Sequence, residues 1–317
     1  MLVLIQILVP LVLFNIDVGA MDVTSLPPCN FPAIYNFGDS NSATGSDRYP
    51  NAGRLLIEFM ADYLRIPYVN AYQNLNTTNF QYGANFASPG ASVTPQQYPN
   101  SNPFDIGIQV KQFGELKLQS NDVYKQAKQT NTSRLPKPDD FSKALYTLDI
   151  GQNDLTLCYI IKLDVRAEIP NIINKFAAAI KVLYQQGARA FWIHNTAPIG
   201  CFGFASRLIG ELPKTQDQNK CYTFMNEMSN EYNRQLKEKV NKLKVELPEA
   251  ALTYVDLYTP VHELLTTYTK LGLENPTFDG IHRIQSANQW LANRVVNGSM
   301  SDPPIPITHA CHKRVGA

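Results

Sequence analysis

The sequence predicts an α/β fold in which a parallel β-sheet carries helices on both of its faces. Short apolar strands alternate with longer amphipathic helices about five times along the chain, the order typical of parallel strands joined by helical crossovers. No repeat, low-complexity block or linker divides the 317 residues, so we expect one domain. Ligands of such folds bind at the carboxyl ends of the strands. Reactive residues should therefore directly follow strands.

Hydrophobic periodicity defines the individual elements. Leu55, Phe59 and Tyr63 recur every four residues, as on one face of a helix, and a similar stripe ends at Gly187, a normal helix stop. The predicted helices cover residues 55–64, 172–187, 221–243 and 283–296. The predicted strands cover residues 33–37, 83–88, 144–150, 188–194 and 252–257, and the last of these is expected to be the final strand.

Composition and charge exclude several classes of protein. Hydrophobic residues make up 44% and charged residues 17% of the chain, which argues against intrinsic disorder, collagen and coiled coils. The net charge is +1, and no run of Lys or Arg concentrates positive charge locally. Nucleic-acid binding is therefore not expected. Nothing implies an obligate protein partner, so the expected partner is a small-molecule or glycan substrate.

The N-terminal segment is predicted to be a targeting signal. Residues 1–14 are almost entirely apolar but too short to cross a bilayer, which needs about 20 residues. Val18-Gly19-Ala20 then provides the small residues that signal peptidase reads. We therefore expect a signal peptide over residues 1–20 and a secreted mature domain over residues 21–317. The alternative is a buried N-terminal strand or helix.

Two further patterns agree with export. Three N-x-S/T tripeptides are potential glycosylation sites, at Asn76, Asn131 and Asn297. The five cysteines form no C-x-x-C pair and have no histidine spacing suited to zinc, so neither a metal site nor a cofactor is expected. In an oxidising compartment they should form one or two disulfides and leave an odd thiol. They are Cys29, Cys158, Cys201, Cys221 and Cys311.

A short polar turn follows the first predicted strand and carries Ser40. The small Gly38 and the polar Asp39 before it allow a sharp turn that presents a hydroxyl at the carboxyl end of the strand. Ser40 is therefore a candidate nucleophile. The alternative is a turn in which Ser40 caps the next helix.

Two later clusters complete a possible hydrolase site. Asn153 follows the third predicted strand, where its amide could donate to an oxyanion; the alternative is an Asx-turn or helix cap. Asp279 and His282 precede the last helix, and at this spacing the carboxylate can orient one ring nitrogen and leave the other as a base. The alternative is a helix entry with Asp279 near the N-terminus. Jointly these residues supply a nucleophile, a base, an orienting acid and an oxyanion donor.

Motifs of competing chemistries are absent from the sequence. It contains no G-x-S-x-G, no G-x-x-x-x-G-K-[ST], no G-x-G-x-x-G after a strand and no H-E-x-x-H. The α/β-hydrolase elbow, nucleotide binding of these types and zincin chemistry are therefore not expected.

Four ordered blocks resemble the signature blocks of the plant GDSL esterase/lipase family, a branch of the SGNH hydrolases. The resemblance runs from about Cys29 to the C-terminal region, and it looks closest to the subgroup of early nodulins and acetylesterases that act on plant glycosides. It implies a metal-independent serine esterase, secreted to the apoplast or cell wall, with a flavodoxin-like sheet in a three-layer α/β/α sandwich. The blocks are Phe37-Gly38-Asp39-Ser40, Asn85-Phe86-Ala87-Ser88-Pro89-Gly90, Gly151-Gln152-Asn153-Asp154 and Asp279-Gly280-Ile281-His282.

The resemblance also implies residue roles. Ser40 would be the nucleophile and would form the oxyanion hole with Gly90 and Asn153, through two backbone N–H groups and one side-chain amide. His282 would be the general base and then the acid, with Asp279 holding its tautomer. Cys201 and Cys221 match a cysteine pair that is frequent in the family, and this is the disulfide we favour.

The chain departs from the family pattern beside the nucleophile. Ala43 stands where the family usually has Asp, and only residues 46–52 separate Gly45 from Gly53, where a longer loop is usual. We therefore expect an open substrate mouth that favours short acyl groups such as acetate. The alternatives are an acyltransferase that uses the same serine and a catalytically silent glycan-binding or storage protein of the same fold.

Overall fold

The computed structural model describes residues 25–45, 53–73, 79–96, 102–126 and 134–313. The predicted signal peptide, Asn76, Asn131 and the short segment 46–52 lie outside these residues. No helix in the described ranges is both long and apolar enough to cross a membrane.

A six-stranded sheet forms the centre of the described chain. Its strand order is β2-β1-β3-β4-β5-β6; every neighbouring pair is parallel except β5 and β6. The first five strands thus have the flavodoxin-like order 2-1-3-4-5. The strands are β1 (Ile34–Gly38), β2 (Gly83–Asn85), β3 (Leu145–Asp149), β4 (Ala190–His194), β5 (Ala251–Val255) and β6 (Ser301–Asp302).

Helices cover both faces of this sheet and complete a three-layer α/β/α sandwich. Helices α2, α3, α4 and α6 pack on one face, and α1, α7 and α8 pack on the other. The helices are α1 (Leu56–Leu64), α2 (Ile106–Gln126), α3 (Gln152–Ile160), α4 (Val165–Gln185), α5 (Ala205–Leu208), α6 (Thr223–Glu246), α7 (Tyr258–Thr267) and α8 (Gln285–Val295).

Both faces are apolar because side chains alternate along each buried strand. In β4, Phe191 and Ile193 contact the α2/α4/α6 layer, whereas Trp192 contacts the α1/α7/α8 layer, and all three are fully buried. This two-sided burial explains why the strands read as continuous apolar runs. Apart from a few buried polar residues such as Asn36 and Thr147, polar side chains are therefore left to the ends of the strands.

The structure corrects three sequence predictions. A sixth strand, β6, follows the strand expected to be the last; it pairs through only two residues, too few for a periodic signal. Helices α2, α3, α5 and α7 are absent from the predicted set, although Ile106, Val110 and Phe113 form the buried stripe of α2. Strand β2 ends at Asn85, before residue 88, because the Asn85 side chain accepts the Ala87 N–H and turns the chain.

Two disulfides join cysteines of the described chain. Cys201 pairs with Cys221, the favoured pair, and Cys29 pairs with Cys311, which ties the beginning of the domain to its end. Cys158 is the odd thiol and is buried. The tail and the N-terminal segment are therefore held against each other covalently.

Candidate active site

Ser40 lies in a tight turn at the carboxyl end of β1. The N–H groups of Ser42 and Ala43 donate to the Asp39 carbonyl oxygen over 3.2 and 3.0 Å, and they close the turn. The chain turns here rather than entering a helix, so Ser40 does not act as a helix cap. Its side chain is left half-buried at the edge of the sheet.

Gly38 allows this turn to lie against the neighbouring strand. A Cβ at position 38 would lie 2.7 Å from the Asp149 carbonyl oxygen and closer still to the Ser42 hydroxyl. No side chain fits there without moving β1 away from β3. The glycine of the first block therefore sets the distance between the nucleophile turn and the sheet.

Ser40, His282 and Asp279 form a hydrogen-bonded chain. The Ser40 Oγ lies 2.8 Å from His282 Nε2, and His282 Nδ1 lies 2.5 Å from Asp279 Oδ2. Ser40 and His282 are 242 residues apart in sequence. The fold thus brings the predicted nucleophile, base and orienting acid together in the order that a serine hydrolase requires.

Asp279 is held by its own loop as well as by the imidazole. Its Oδ1 accepts the N–H groups of Ile281 (2.9 Å) and His282 (2.8 Å), so the carboxylate closes a turn of its own loop. Helix α8 begins only at Gln285, so Asp279 does not lie at the N-terminus of a helix, the alternative considered for it. Burial raises the pKa of Asp279, but hydrogen bonds from the His282 ring and from these two N–H groups outweigh burial and lower the pKa below its ordinary value. Asp279 is therefore ionised at neutral pH and can balance a positive imidazolium.

Asn153 lies between the nucleophile turn and the loop that carries Gly90. Its Nδ2 donates to the Ala91 carbonyl oxygen over 2.9 Å and lies 3.5 Å from Asp39 Oδ2. Gly90 adopts a positive φ of 79°, a conformation that favours glycine. The two predicted oxyanion donors beyond Ser40 thus belong to segments that contact each other.

The first glycine of the third block, Gly151, has a steric role. It has a φ of 120°, and a Cβ there would overlap the Tyr232 hydroxyl. Tyr232 is fully buried on α6, so it has no room to retreat. Gly151 therefore allows α3 to begin directly after β3, and this places Asn153 beside the site.

A buried polar network ties the nucleophile turn to the sheet. Asn85, opposite Asn36 in the β1–β2 register, accepts from Asn36 Nδ2 (2.7 Å) and donates to the Ser42 carbonyl oxygen (2.7 Å) and to Thr44 Oγ1 (2.9 Å). Asn36 in turn accepts from Thr147 on β3 over 2.7 Å. The Asn of the second block is thus a structural residue whose bonds hold the turn in place.

Gln109 on α2 supports the same turn from the other face of the sheet. Its side chain is completely buried, accepts the Gly38 N–H and donates to the Gly38 carbonyl oxygen, both over 2.9 Å. These two hydrogen bonds hold the backbone of Gly38, which directly precedes Asp39 and Ser40. Gln109 is not predictable from the sequence, because no motif surrounds it and α2 was not predicted.

Two ionisable side chains, Asp39 and Arg283, are buried near the triad. Burial, followed by the nearby Asp149 carboxylate, raises the pKa of Asp39 well above its ordinary value, although the Asn41 N–H and the Arg283 guanidinium oppose the shift. Arg283 is buried next to His282, and its Nε donates to Asn288 Oδ1 over 3.0 Å. Sequence analysis did not identify Arg283 as part of the site.

No metal-binding group is apparent in the described residues beyond two clusters that contain disulfides. These are Cys29, Cys311 and His312, and Cys201, Cys221 and His262. A sulfur in a disulfide is not the thiolate that a metal requires. Of the predicted glycosylation sites, Asn297 lies in the described chain, where it is exposed.

Comparison with known families and proteins identifies the family. The family model of the GDSL-like Lipase/Acylhydrolase matches residues 34–295. The chain belongs to this family. Membership of the GDSL family places the chain among the carboxylic ester hydrolases.

Plant proteins of the GDSL family match over nearly the whole chain. A GDSL esterase/lipase of Arabidopsis thaliana is 38% identical, and the alignment covers 92% of each sequence. The GDSL esterase/lipase ENOD8 of Medicago truncatula is 33% identical over 90% of this chain and 91% of its own. A third relative, alpha-L-fucosidase 3 of Arabidopsis thaliana, is 39% identical over 74% of this chain and 70% of its own. The Arabidopsis esterase/lipase alignment spans 360 positions, whereas this chain has 317 residues, so that relative contains segments that this chain lacks.

Proposed function

We propose that the chain is a secreted serine esterase that hydrolyses short-acyl carboxylic esters through an acyl-enzyme on Ser40. The observation that carries the proposal is the hydrogen-bonded chain from Ser40 Oγ through His282 to Asp279 at the carboxyl ends of the strands. A serine hydroxyl is barely nucleophilic alone, and this contact supplies the base that it needs.

The reaction follows from these contacts. His282 Nε2 takes the Ser40 proton while Oγ attacks the acyl carbon, and the carbonyl electrons move onto oxygen. The Ser40 and Gly90 N–H groups and the Asn153 amide would stabilise that oxyanion. Collapse of the intermediate expels the alcohol, which receives the proton from His282. Water then attacks the acyl-enzyme with His282 again as base. The bond between the acyl carbon and Ser40 Oγ breaks, the carboxylic acid leaves, and His282 returns the proton to Oγ; Asp279 balances the imidazolium in both halves.

Asp39 is suited to a position next to the oxyanion. A full negative charge 3.5 Å from Asn153 Nδ2 would oppose the charge that develops on the acyl oxygen. The raised pKa of Asp39 favours its neutral form. Burial of this acid thus supports the proposed electrostatics of the site.

We propose acetyl or similarly short esters of plant glycosides, glycans or lipids as substrates. Residues 46–52 are a shorter connection than the family loop, and the longer alignment with the Arabidopsis relative supports a loss of segments from this chain. A shorter loop would cover less of the substrate, and each CH₂ of the acyl chain that stays exposed to water loses about 0.8 kcal/mol of binding free energy. Long acyl chains therefore gain little.

Export is part of the same proposal. The predicted signal peptide over residues 1–20 and the two disulfides both suit an oxidising, extracellular compartment. Expression with the native N-terminus in plant cells should release a protein whose first residue is Met21. Retention of residues 1–20 in the released protein would contradict the cleavage site.

The test is a series of p-nitrophenyl esters from acetate to palmitate, compared by kcat/KM for the mature protein and for Ser40→Ala. We expect the highest value for acetate and loss of hydrolysis in Ser40→Ala without loss of fold. A kcat/KM that rises with the length of the acyl chain would refute the open substrate mouth. Activity equal to that of Ser40→Ala on every ester would favour a silent glycan-binding or storage protein.

Two controls separate the alternative reactions. An added acceptor alcohol that captures most of the acyl group would indicate an acyltransferase with the same serine. Because one relative is named a fucosidase, p-nitrophenyl α-L-fucoside belongs in the same series. Turnover of the fucoside that survives Ser40→Ala would show chemistry outside the proposed serine mechanism.

A further inference from the structure

Asp154 binds the loop that follows Gly90 with an unusual number of hydrogen bonds. It is the third residue of α3 and is 2% exposed. Its Oδ2 accepts the Val93 N–H over 2.7 Å, and its Oδ1 accepts the N–H and the hydroxyl of Thr94 over 2.8 and 2.6 Å. One buried carboxylate therefore satisfies three donors of a single short segment.

Asn153, the residue before Asp154, binds the same loop but as a hydrogen-bond donor. Asn153 donates to the Ala91 carbonyl oxygen, whereas Asp154 accepts from Val93 and Thr94. Adjacent residues of one helix turn thus hold the loop on both sides, and Gly90 lies at its start. The position of Gly90 relative to Asn153 is fixed through these bonds.

We propose that Asp154 is a positioning residue that sets the distance between the Gly90 N–H and the Asn153 amide, and thereby shapes the oxyanion site. This inference rests on the proposed function, because it needs both groups to act on the acyl oxygen. Asp154 touches no reacting atom. It acts through the loop and through the start of α3.

The carboxylate form is the one that suits this role. Burial raises the pKa of Asp154 to about 6, against the hydrogen bonds from Thr94 and Val93 that lower it. The neighbouring Tyr232 and Cys158 have raised pKa values and stay neutral at pH 7, chiefly because they are buried. At pH 7.5 Asp154 is therefore ionised and can accept all three bonds, whereas an amide in its place would turn an NH₂ group towards a donor.

The experiment compares Asp154→Asn, Asn153→Ala and the double variant on p-nitrophenyl acetate at pH 7.5. We expect Asp154→Asn to lower kcat roughly tenfold with little change in KM, since the oxyanion forms only after binding. In the Asn153→Ala background the same change should cost much less than tenfold, because the amide that it positions is gone. Asp164→Asn is the matched control. Asp164 caps α4 by accepting two backbone N–H groups, so this variant should keep the kcat of the wild type.

Several outcomes would overturn the proposal. Asp154→Asn with kcat within twofold of wild type shows that the loop does not need the carboxylate. If kcat of the double variant falls by the product of the two single-variant factors, the two residues act independently. If Asp164→Asn loses as much kcat as Asp154→Asn, the loss reflects general destabilisation of the protein. Either result contradicts the proposal. Thr94→Val, which removes one of the three donors, should lower kcat by less than Asp154→Asn, and the reverse order would also contradict the proposal. An inactive wild type instead removes the proposed function, so the two failures are distinguishable.

Discussion

The two halves of the candidate site are held in place in opposite ways. Asp279 and His282 form a local unit, in which the carboxylate is exposed and accepts two N–H groups of its own loop. The nucleophile turn and the oxyanion loop depend instead on buried side chains from distant segments, namely Asn85, Gln109 and Asp154. The Asp279 carboxylate is therefore positioned by its own loop, whereas the nucleophile half depends on contacts that form only when the sheet and its helices assemble.

This difference predicts where each substitution acts. A change at Asp279 should alter catalysis and leave the fold intact, because few buried contacts depend on this side chain. A change among the buried supports should reduce both the free energy of unfolding and the activity, because unsatisfied polar groups remain in the interior. Four experiments measure the contrast, from the largest expected effect to the smallest.

Asp279→Asn should give the largest effect, on activity alone. The amide keeps the shape but presents the wrong hydrogen-bonding partner to His282 Nδ1, and loss of the correct tautomer costs about 10⁴ in kcat. Thermal unfolding should shift by less than about 2 °C, since the side chain is exposed. Ester-hydrolysis kinetics and calorimetry on one preparation make the comparison. A kcat loss below tenfold, or a large fall in the unfolding temperature, would break the contrast.

Asn153→Ala should lower kcat by about 10²–10³, the usual cost of one oxyanion donor. KM should change little, because negative charge develops on the acyl oxygen only in the transition state. The fold should lose slightly more stability than in Asp279→Asn, because the bond to the Ala91 carbonyl oxygen also disappears. A change confined to KM would make Asn153 a residue that binds substrate.

The local unit was predictable from the sequence for a physical reason. Asp279 and His282 are three residues apart, so residue type and spacing alone determine that the two side chains can meet. Ser40 and Asn153 were predictable because each directly follows a strand, and strand ends meet at one edge of a parallel sheet. In the structure Ser40 contacts His282, and Asn153 contacts the carbonyl oxygen of Ala91.

The supporting residues were not predictable in the same way. Gln109 acts on Gly38 across 71 positions of sequence, and no local pattern marks a buried glutamine that bonds to a distant peptide. The predicted parallel sheet lacks β6, where two residues pair with β5 in the antiparallel sense, because strand pairs this short show no alternation. Apolar periodicity therefore predicts the layered α/β fold, whereas the long-range polar contacts are evident only in the structure.

Gln109→Leu should test the buried half through stability. The leucine leaves the Gly38 N–H without its partner and removes bonds to two carbonyl oxygens, those of Gly38 and Phe104. A buried donor without a partner costs about 1–3 kcal/mol, so we expect the free energy of unfolding to fall by about 3 kcal/mol. Urea unfolding at pH 7 measures it. A variant as stable as wild type but inactive would show that Gln109 serves catalysis alone.

The smallest expected effect is a pH dependence of stability with opposite signs in the two halves. Asp154 has a folded-state pKa of about 6, above its ordinary value of 3.8, so the folded protein binds this proton more tightly than the unfolded chain does. Its contribution to stability is therefore greatest below pH 4 and is lost as the pH rises towards 6. Asp279 has a lowered pKa, so the stability that it contributes is present above about pH 4 and is lost on further acidification.

Asp154→Asn does not titrate at position 154, so the free energy of unfolding of wild type minus that of the variant should fall by about 2 kcal/mol between pH 4.5 and 6.5. The same difference taken with Asp279→Asn should change in the opposite direction and fall as the pH drops below 4. Parallel curves for wild type and Asp154→Asn would mean that Asp154 titrates normally, and a difference for Asp279→Asn that does not fall on acidification would mean that the pKa of Asp279 is not lowered.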